Sequence, residues 1–238
     1  MRARVRAVTL DAGSTLIHWC APPAERFELL CRRAGIPLPA GAGVEAARAG
    51  LRFQRRYGAP PGGGAEARAW WAAVNAESLR AAGVDGDLAV LGQRIHAAAQ
   101  GVGAAFVPDP DVPAVLEALR TRGLALAVVS NWDGDLAPRL GAMGLARHFA
   151  FIADSTVVGV AKPDPAIDHL TCRRIGVPPD SCLHVGDRPE TDAAVALAAG
   201  AIPVLYDPLE AWDGPEVRVT RLLDLLGVLD GLETGDPA

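Results

Sequence analysis

Four polar clusters, each following a short apolar run, hold the residues that could do chemistry. Asp11-Ala12-Gly13-Ser14-Thr15-Leu16 follows Val5–Leu10, and Ser130-Asn131 follows Leu124–Val129. Gly159-Val160-Ala161-Lys162-Pro163-Asp164-Pro165 follows Phe151–Ala153 and a turn, and Gly186-Asp187-Arg188-Pro189-Glu190-Thr191-Asp192 follows Cys182–Val185. The clusters offer a carboxylate, a hydroxyl with an amide, an ammonium and a carboxylate pair. That set suits an anionic substrate held with a hard divalent cation, because Mg²⁺ takes oxygen ligands, commonly one or two carboxylates plus substrate phosphate and water. A carboxylate can also attack phosphorus, dividing one difficult displacement into two, while ammonium and hydroxyl donors neutralise charge on the transferring group. Lys162 stands out by composition: of the 23 basic residues, 22 are Arg and one is Lys. A compact point charge is what a tight pocket takes and a broad guanidinium fork cannot supply.

Such clusters need a scaffold that brings strand ends together. Apolar runs alternate with amphipathic stretches, which predicts βα units around a parallel sheet, with Ile202–Tyr206 as a further strand. The helical stretches of this part are Val112–Arg120, Leu136–Met143, Ala166–Ile175 and Asp192–Ala199. In open parallel sheets ligands bind beyond the carboxyl ends of the strands, where strand order reverses. The alternation breaks between about Ala21 and Phe106. Helical periodicity dominates there, over Ala24–Arg33, Val44–Arg56, Glu66–Ala82 and Leu88–Gln100. The expected organisation is therefore an α/β, Rossmann-like parallel-sheet core from residues 1–20 and 107–238, with an inserted all-helical domain at 21–106. Pro108-Asp109-Pro110 marks the return to the core, Pro60–Gly64 reads as a connecting loop, and the chain from about Gly231 reads as a frayed tail. No internal repeat is visible.

Bulk composition narrows the function classes. The 238 residues are half hydrophobic and carry a formal net charge of −5, with no basic stripe that would suit nucleic acid. No run reaches the roughly 18–20 apolar residues of a membrane helix, and the first apolar run is too short for a secretory signal. Cys20, Cys31, Cys172 and Cys182 have no metal-like spacing and read as reduced thiols of a cytoplasmic protein. His184, inside a strand, reads as a packed core residue, and Trp19, Trp70 and Trp71 read as packing aromatics.

In order and spacing, the four clusters resemble the four motifs of the haloacid dehalogenase-like superfamily, in its branch with a helical cap inserted after the first motif. Lys-Pro-Asp-Pro followed by Val-Gly-Asp with a second Asp five residues on is the most specific part. The resemblance implies a nucleophilic Asp11 that becomes an aspartyl-phosphate. Ser130 and Asn131 would bind phosphoryl oxygens, and Lys162 would bridge Asp11 and the phosphate. Mg²⁺ would be held by Asp11, the Gly13 carbonyl and Asp187, with Asp192 acting directly or through water. The cap would close over the site and choose the leaving group. The implied activity is a Mg²⁺-dependent phosphatase acting on a small phosphorylated metabolite, as a monomer or homodimer.

One position departs from that pattern. Phosphatases of the family usually carry a second Asp two residues after the nucleophile, which protonates the leaving oxygen and later activates water. Here the position is Gly13, which can lend a carbonyl but cannot move a proton. General acid–base groups contribute typically about 10²–10⁴-fold. Phosphoryl transfer from activated esters is then expected to survive while hydrolysis of the aspartyl-phosphate is impaired, unless His18 or a carboxylate of the insertion substitutes. Two rivals follow: a protein that binds a phosphorylated ligand without turnover, and a 2-haloacid dehalogenase. The paired acids Asp187 and Asp192, and Gly13 where that branch typically has Tyr, count against the dehalogenase. Phosphonate cleavage through a Schiff base is set aside because the insertion contains no Lys.

Overall fold

The computed structural model describes residues 5–20, 23–58, 64–100, 106–208 and 217–234. In chain order the elements are β1 (Ala7–Leu10), β2 (Ile17–Trp19), α1 (Pro23–Arg33), α2 (Gly43–Tyr57), α3 (Gly64–Ala81), α4 (Leu88–Gln100), β3 (Phe106–Pro108), α5 (Val112–Thr121) and β4 (Ala125–Ser130). There follow α6 (Leu136–Ala142), β5 (Phe151–Asp154), α7 (Ser155–Val158), α8 (Ala166–Ile175), β6 (Cys182–Gly186), α9 (Ala194–Ala199), β7 (Ile202–Tyr206), β8 (Val217–Val219) and α10 (Leu225–Thr234).

Six strands form one sheet in the order β5-β4-β1-β6-β7-β8, and every neighbouring pair is parallel. β1 lies inside it, with Leu10 opposite Val128 of β4 on one side and Val185 of β6 on the other. All four β1 residues are buried, as expected of a parallel strand covered on both faces. Strand order reverses at β1, which makes its carboxyl end the crevice of an α/β sheet. Helix α5 shows the logic of the covering layer: Val112, Val115, Leu116 and Leu119, at i, i+3, i+4 and i+7, are all fully buried. Helix α8 ends at Gly176 in the left-handed conformation (φ 69°), where the Val177 amide reaches the Cys172 carbonyl.

Two compact units emerge, one taking the chain up to His18 and from Pro108 onward, the other Trp19–Val107. The second contains α1–α4. Its core is Phe27, Leu30 and Cys31 of α1 with Leu79 of α3 and Ile95 of α4, and Trp19 packs at its edge. Helices α3 and α4 approach closely at Gly92, where a Cβ would fall 2.2 Å from the Ala72 carbonyl oxygen. Trp70 and Trp71 meet edge to face with centroids 4.8 Å apart, and Trp19 packs on Phe106 at 4.6 Å. The loop read at Pro60–Gly64 lies outside the described residues except for Gly64, which opens α3.

Several sequence boundaries need correction. β1 begins at Ala7 rather than Val5, while β4 runs one residue later than read and takes in Ser130, which pairs with Asp154 of β5. β2, β3 and β8 have three residues each, too short for alternation to register, and none was anticipated. Asp192 does not open a helix; it lies in a π-helical turn, Pro189–Ala193, that precedes α9. The chain after Gly231 remains helical to Thr234, because α10 presents buried Leu225 and Leu229 to the core. Among the described residues no helix is long and apolar enough to cross a membrane, and no cysteine forms a disulfide.

Candidate active site

The β1 ladder continues one residue past the strand: the Asp11 amide donates to the Val185 carbonyl at 2.8 Å, which fixes Asp11 at the crevice, 6% exposed. The chain then folds back. The Leu16 and Ile17 amides both donate to the Ala12 carbonyl, Ser14 adopts φ 63°, and its amide donates to the Ile17 carbonyl. Gly13 bridges Ile17 through these flanking groups, so its own N–H and C=O take no part in the bridge. A Cβ on Gly13 would stand 3.4 Å from Trp132 Cζ3, so an indole edge borders the place where a side chain at position 13 would begin.

Lys162 reaches the same place from the loop before α8. Its Nζ donates to Asp11 Oδ1 at 2.6 Å and to Asp192 Oδ1 at 2.5 Å, and the side chain is 3% exposed. Asn131 holds that loop. Its Nδ2 donates to the Lys162 carbonyl at 2.9 Å and its Oδ1 accepts from the Lys162 amide at 2.8 Å. The Asn131 side chain thus positions Lys162 through one N–H and its carbonyl oxygen, which leaves its second Nδ2–H and its backbone N–H for a phosphoryl oxygen. Ser130 lies buried at the end of β4 and helps to hold the Asp11 carboxyl pKa down.

β6 delivers the acids. Asp187 follows Gly186, and the π-helical turn brings Asp192 back beneath it. The Asp192 carboxylate lies against Gly186, where a Cβ would fall 2.2 Å from Asp192 Cγ, so only glycine fits. Asp192 Oδ2 accepts from the Arg188 amide at 2.9 Å. Oxygens of Asp11, Asp187 and Asp192 all lie within 4.8 Å of one another. Three carboxylates thus face one ammonium. Burial raises the Asp187 pKa well above the ordinary carboxylate value, and Asp11 and Asp192 add to the rise. Burial likewise raises Asp11, with Lys162 opposing and Asp192 reinforcing. Burial would raise Asp192 too, but Lys162 and His184 outweigh it and hold this carboxyl well below its usual range. For Lys162, burial alone would weaken the ammonium, and the two carboxylates more than reverse that. A cluster of oxygens with uncompensated negative charge fits a hard divalent cation, whose charge would offset the repulsion.

Sequence reasoning missed the groups that hold this cluster in place. Asp154, 2% exposed at the end of β5, accepts from the amides of Gly134 (3.0 Å), Leu136 (3.2 Å) and Thr156 (3.0 Å). It thereby fixes the segment after Ser130-Asn131. Trp132 in that segment donates Nε1–H to Asp135 at 2.6 Å, its carbonyl accepts from Thr156 Oγ1 at 2.7 Å, and Arg139 lies over its ring. Asp154 sits at a strand end like the other site acids, and that was the available signal. His18 is held elsewhere than at Asp11: its Nε2 lies 2.9 Å from Asp109 Oδ2, which also accepts from the Tyr206 hydroxyl at 2.8 Å.

Comparison with known proteins gives a consistent set of relatives. A family model described as haloacid dehalogenase-like hydrolase matches residues 5–200. The chain is 31% identical over 249 aligned residues to the human protein named haloacid dehalogenase-like hydrolase domain-containing protein 3, covering 99% of this chain and 98% of that one. It is 36% identical to a Thermus thermophilus phosphoserine phosphatase over 121 residues, 49% of each chain. Among solved structures it resembles a 2-haloacid dehalogenase from Pseudomonas syringae pv. Tomato, with a TM-score of 0.59 and 27% identity over 95% of this chain and 98% of that one.

Proposed function

The chain belongs to the haloacid dehalogenase-like hydrolase family, and from that premise we propose that it is a Mg²⁺-dependent phosphatase of a small phosphorylated metabolite, working through an aspartyl-phosphate on Asp11. The observation that carries this reading is the single Lys, Lys162, set between Asp11 and Asp192 with the Asp187 carboxylate clustered beside them. The chain's relatives include a phosphatase, and the cluster chemistry suits phosphate better than a halide.

The residues divide the work as follows. Lys162 takes Asp11 Oδ1, which leaves Oδ2 as the nucleophilic oxygen. The Ser130 hydroxyl, the Asn131 N–H and Lys162 Nζ stabilise the phosphoryl oxygens as charge shifts onto them. Asp11, Asp187 and the Gly13 carbonyl would hold Mg²⁺, which would supply positive charge to offset that of the phosphoryl oxygens. Asp192, whose oxygens accept hydrogen bonds from Lys162 and Arg188, would support the cation directly or through water and acts on the nucleophile through Lys162. Gly13 supplies no proton, so leaving groups that depart as stable anions react fastest and the aspartyl-phosphate hydrolyses slowly. Choice of substrate is assigned to the helical unit, and the reduced thiols suit a cytoplasmic location. A dehalogenase would need no divalent cation and would have no use for three clustered carboxylates.

The test is pre-steady-state hydrolysis of p-nitrophenyl phosphate with and without Mg²⁺, with Asp11→Asn as the blank. A Mg²⁺-dependent burst matching enzyme concentration, followed by slow turnover, supports the proposal. No release above the blank, together with chloride release from 2-chloropropionate in EDTA, would replace it with the dehalogenase.

A further inference from the structure

β6 carries a buried imidazole that the chemistry above leaves unused. His184 is fully buried and stands directly across the ladder from Thr9 of β1, with Nδ1 2.9 Å from Thr9 Oγ1. Its other nitrogen, Nε2, makes no hydrogen bond within normal distance, and Asp192 Oδ1 lies 3.6 Å away. On the far side Asp168 Oδ1, buried on α8 and likewise without a partner, is 3.9 Å from Nδ1. A buried chain of polar groups thus runs from Asp168 through His184, Asp192 and Lys162 to Asp11.

The proton on this ring follows from its neighbours. An unprotonated Nε2 would aim a lone pair at the Asp192 carboxylate, so the geometry points to the tautomer with its proton on Nε2. Asp192 Oδ1 then faces two donors, Lys162 Nζ and His184 Nε2–H, while Oδ2 is fixed by the Arg188 amide and the carbon rests on Gly186. An apolar residue at 184 would leave the charge of Oδ1 to Lys162 alone and draw the ammonium away from Asp11.

We propose that His184 is a positioning residue for the proposed phosphoryl-transfer site: through Nε2–H it shares the charge of Asp192, which keeps Lys162 on Asp11 and sets the affinity of the carboxylate cluster for its divalent cation. This rests on the Mg²⁺ reading given above. It acts through Asp192 and touches neither the nucleophile nor substrate. Partners at this remove from a metal typically change its affinity by about 10–100-fold when lost.

Two amide substitutions separate the ring's two ends. Gln can present an N–H near the place of Nε2, whereas Asn reaches only the place of Nδ1. Mg²⁺ binding is measured by calorimetry on the full chain for His184→Gln and His184→Asn, with urea stability in EDTA as the control for packing. The expected result is Mg²⁺ affinity reduced about tenfold or more in His184→Asn and restored to within about threefold of native in His184→Gln, with similar stability losses in EDTA. Equal Mg²⁺ affinity in the two variants would overturn the proposal. If neither variant folds, long-range ¹⁵N–¹H NMR of the native protein decides: a protonated Nε2 supports the proposal and an unprotonated Nε2 ends it. A native protein that binds no Mg²⁺ would refute the metal reading itself, a result distinct from native binding with indifferent variants.

Discussion

Replacing Lys162 by Met keeps much of the side chain's length and removes its charge. In the native protein Nζ lies 2.6 Å from Asp11 and 2.5 Å from Asp192, and the three side chains are 3%, 8% and 2% exposed. The variant therefore strands two buried carboxylates, with Asp187 close by. Breaking a buried ion pair by removing one partner costs about 3–5 kcal/mol, because the remaining charge has lost its solvation and its partner together. In a chain of this length 1 kcal/mol corresponds to roughly 2–4 °C, so the expected fall in Tm is roughly 6–20 °C. The assay is urea and thermal unfolding in EDTA. Adding Asp11→Asn removes one stranded charge, and the double variant is expected to regain at least about 1 kcal/mol over Lys162→Met. If Lys162→Met loses less than about 1 kcal/mol, the pair is behaving as a hydrated surface bridge. The electrostatic account of the site would then be wrong.

Three further outcomes follow from particular contacts. Gly13→Asp, whose Cβ would make an ordinary 3.4 Å contact with Trp132, is expected to raise steady-state hydrolysis of alkyl phosphates by about 10²-fold, the lower end of acid–base contributions; unchanged turnover would show that a missing proton carrier does not limit the enzyme. Asp154→Ala leaves the amides of Gly134, Leu136 and Thr156 without their acceptor, only that of Leu136 being fully buried, and should cost about 1–3 kcal/mol in urea unfolding, the penalty of one stranded buried donor; no measurable loss would mean that water replaces the carboxylate. Burial pushes the Cys31 thiol up to about 12, whereas Cys20 is exposed. At pH 8 Cys31 is thus almost wholly protonated, and mass spectrometry after brief iodoacetamide treatment should find the label on Cys20 and not on Cys31.

The residues that cluster at the crevice were legible in the chain mostly because they follow apolar runs. A buried parallel strand is continuous in its hydrophobicity, and the first polar residue after it lies at the carboxyl edge of the sheet. Asp11, Ser130 and Asp187 came from that rule, and Lys162 from its composition as the one Lys among 22 Arg. The helical insertion was legible because periodicity changes from runs to i, i+3, i+4 spacing. Elements of three residues, β2, β3 and β8, contain too little pattern to read.

Local pattern determined which residues reach the crevice; it did not determine what each is bonded to once there. Asn131 reads as a phosphoryl-binding residue, and its carboxamide also holds the backbone of Lys162, 31 residues on. His18 is one of two candidate substitutes for the missing acid, beside a carboxylate of the insertion, and its ring is bound to Asp109 across 91 residues. His184 was read as core packing and is as buried as that implies, yet Asp192 lies 3.6 Å from its Nε2. Hydrogen-bond partners are set by distance and angle between atoms that strand order and turns bring together, and these long-range pairings leave no periodic trace in the chain. Sequence alone determined the donors and acceptors, through residue type and the hydrophobic runs that carry them to one edge of the sheet. Tertiary structure decided how they are paired, because a buried polar group must take whichever partner the packed backbone holds within reach.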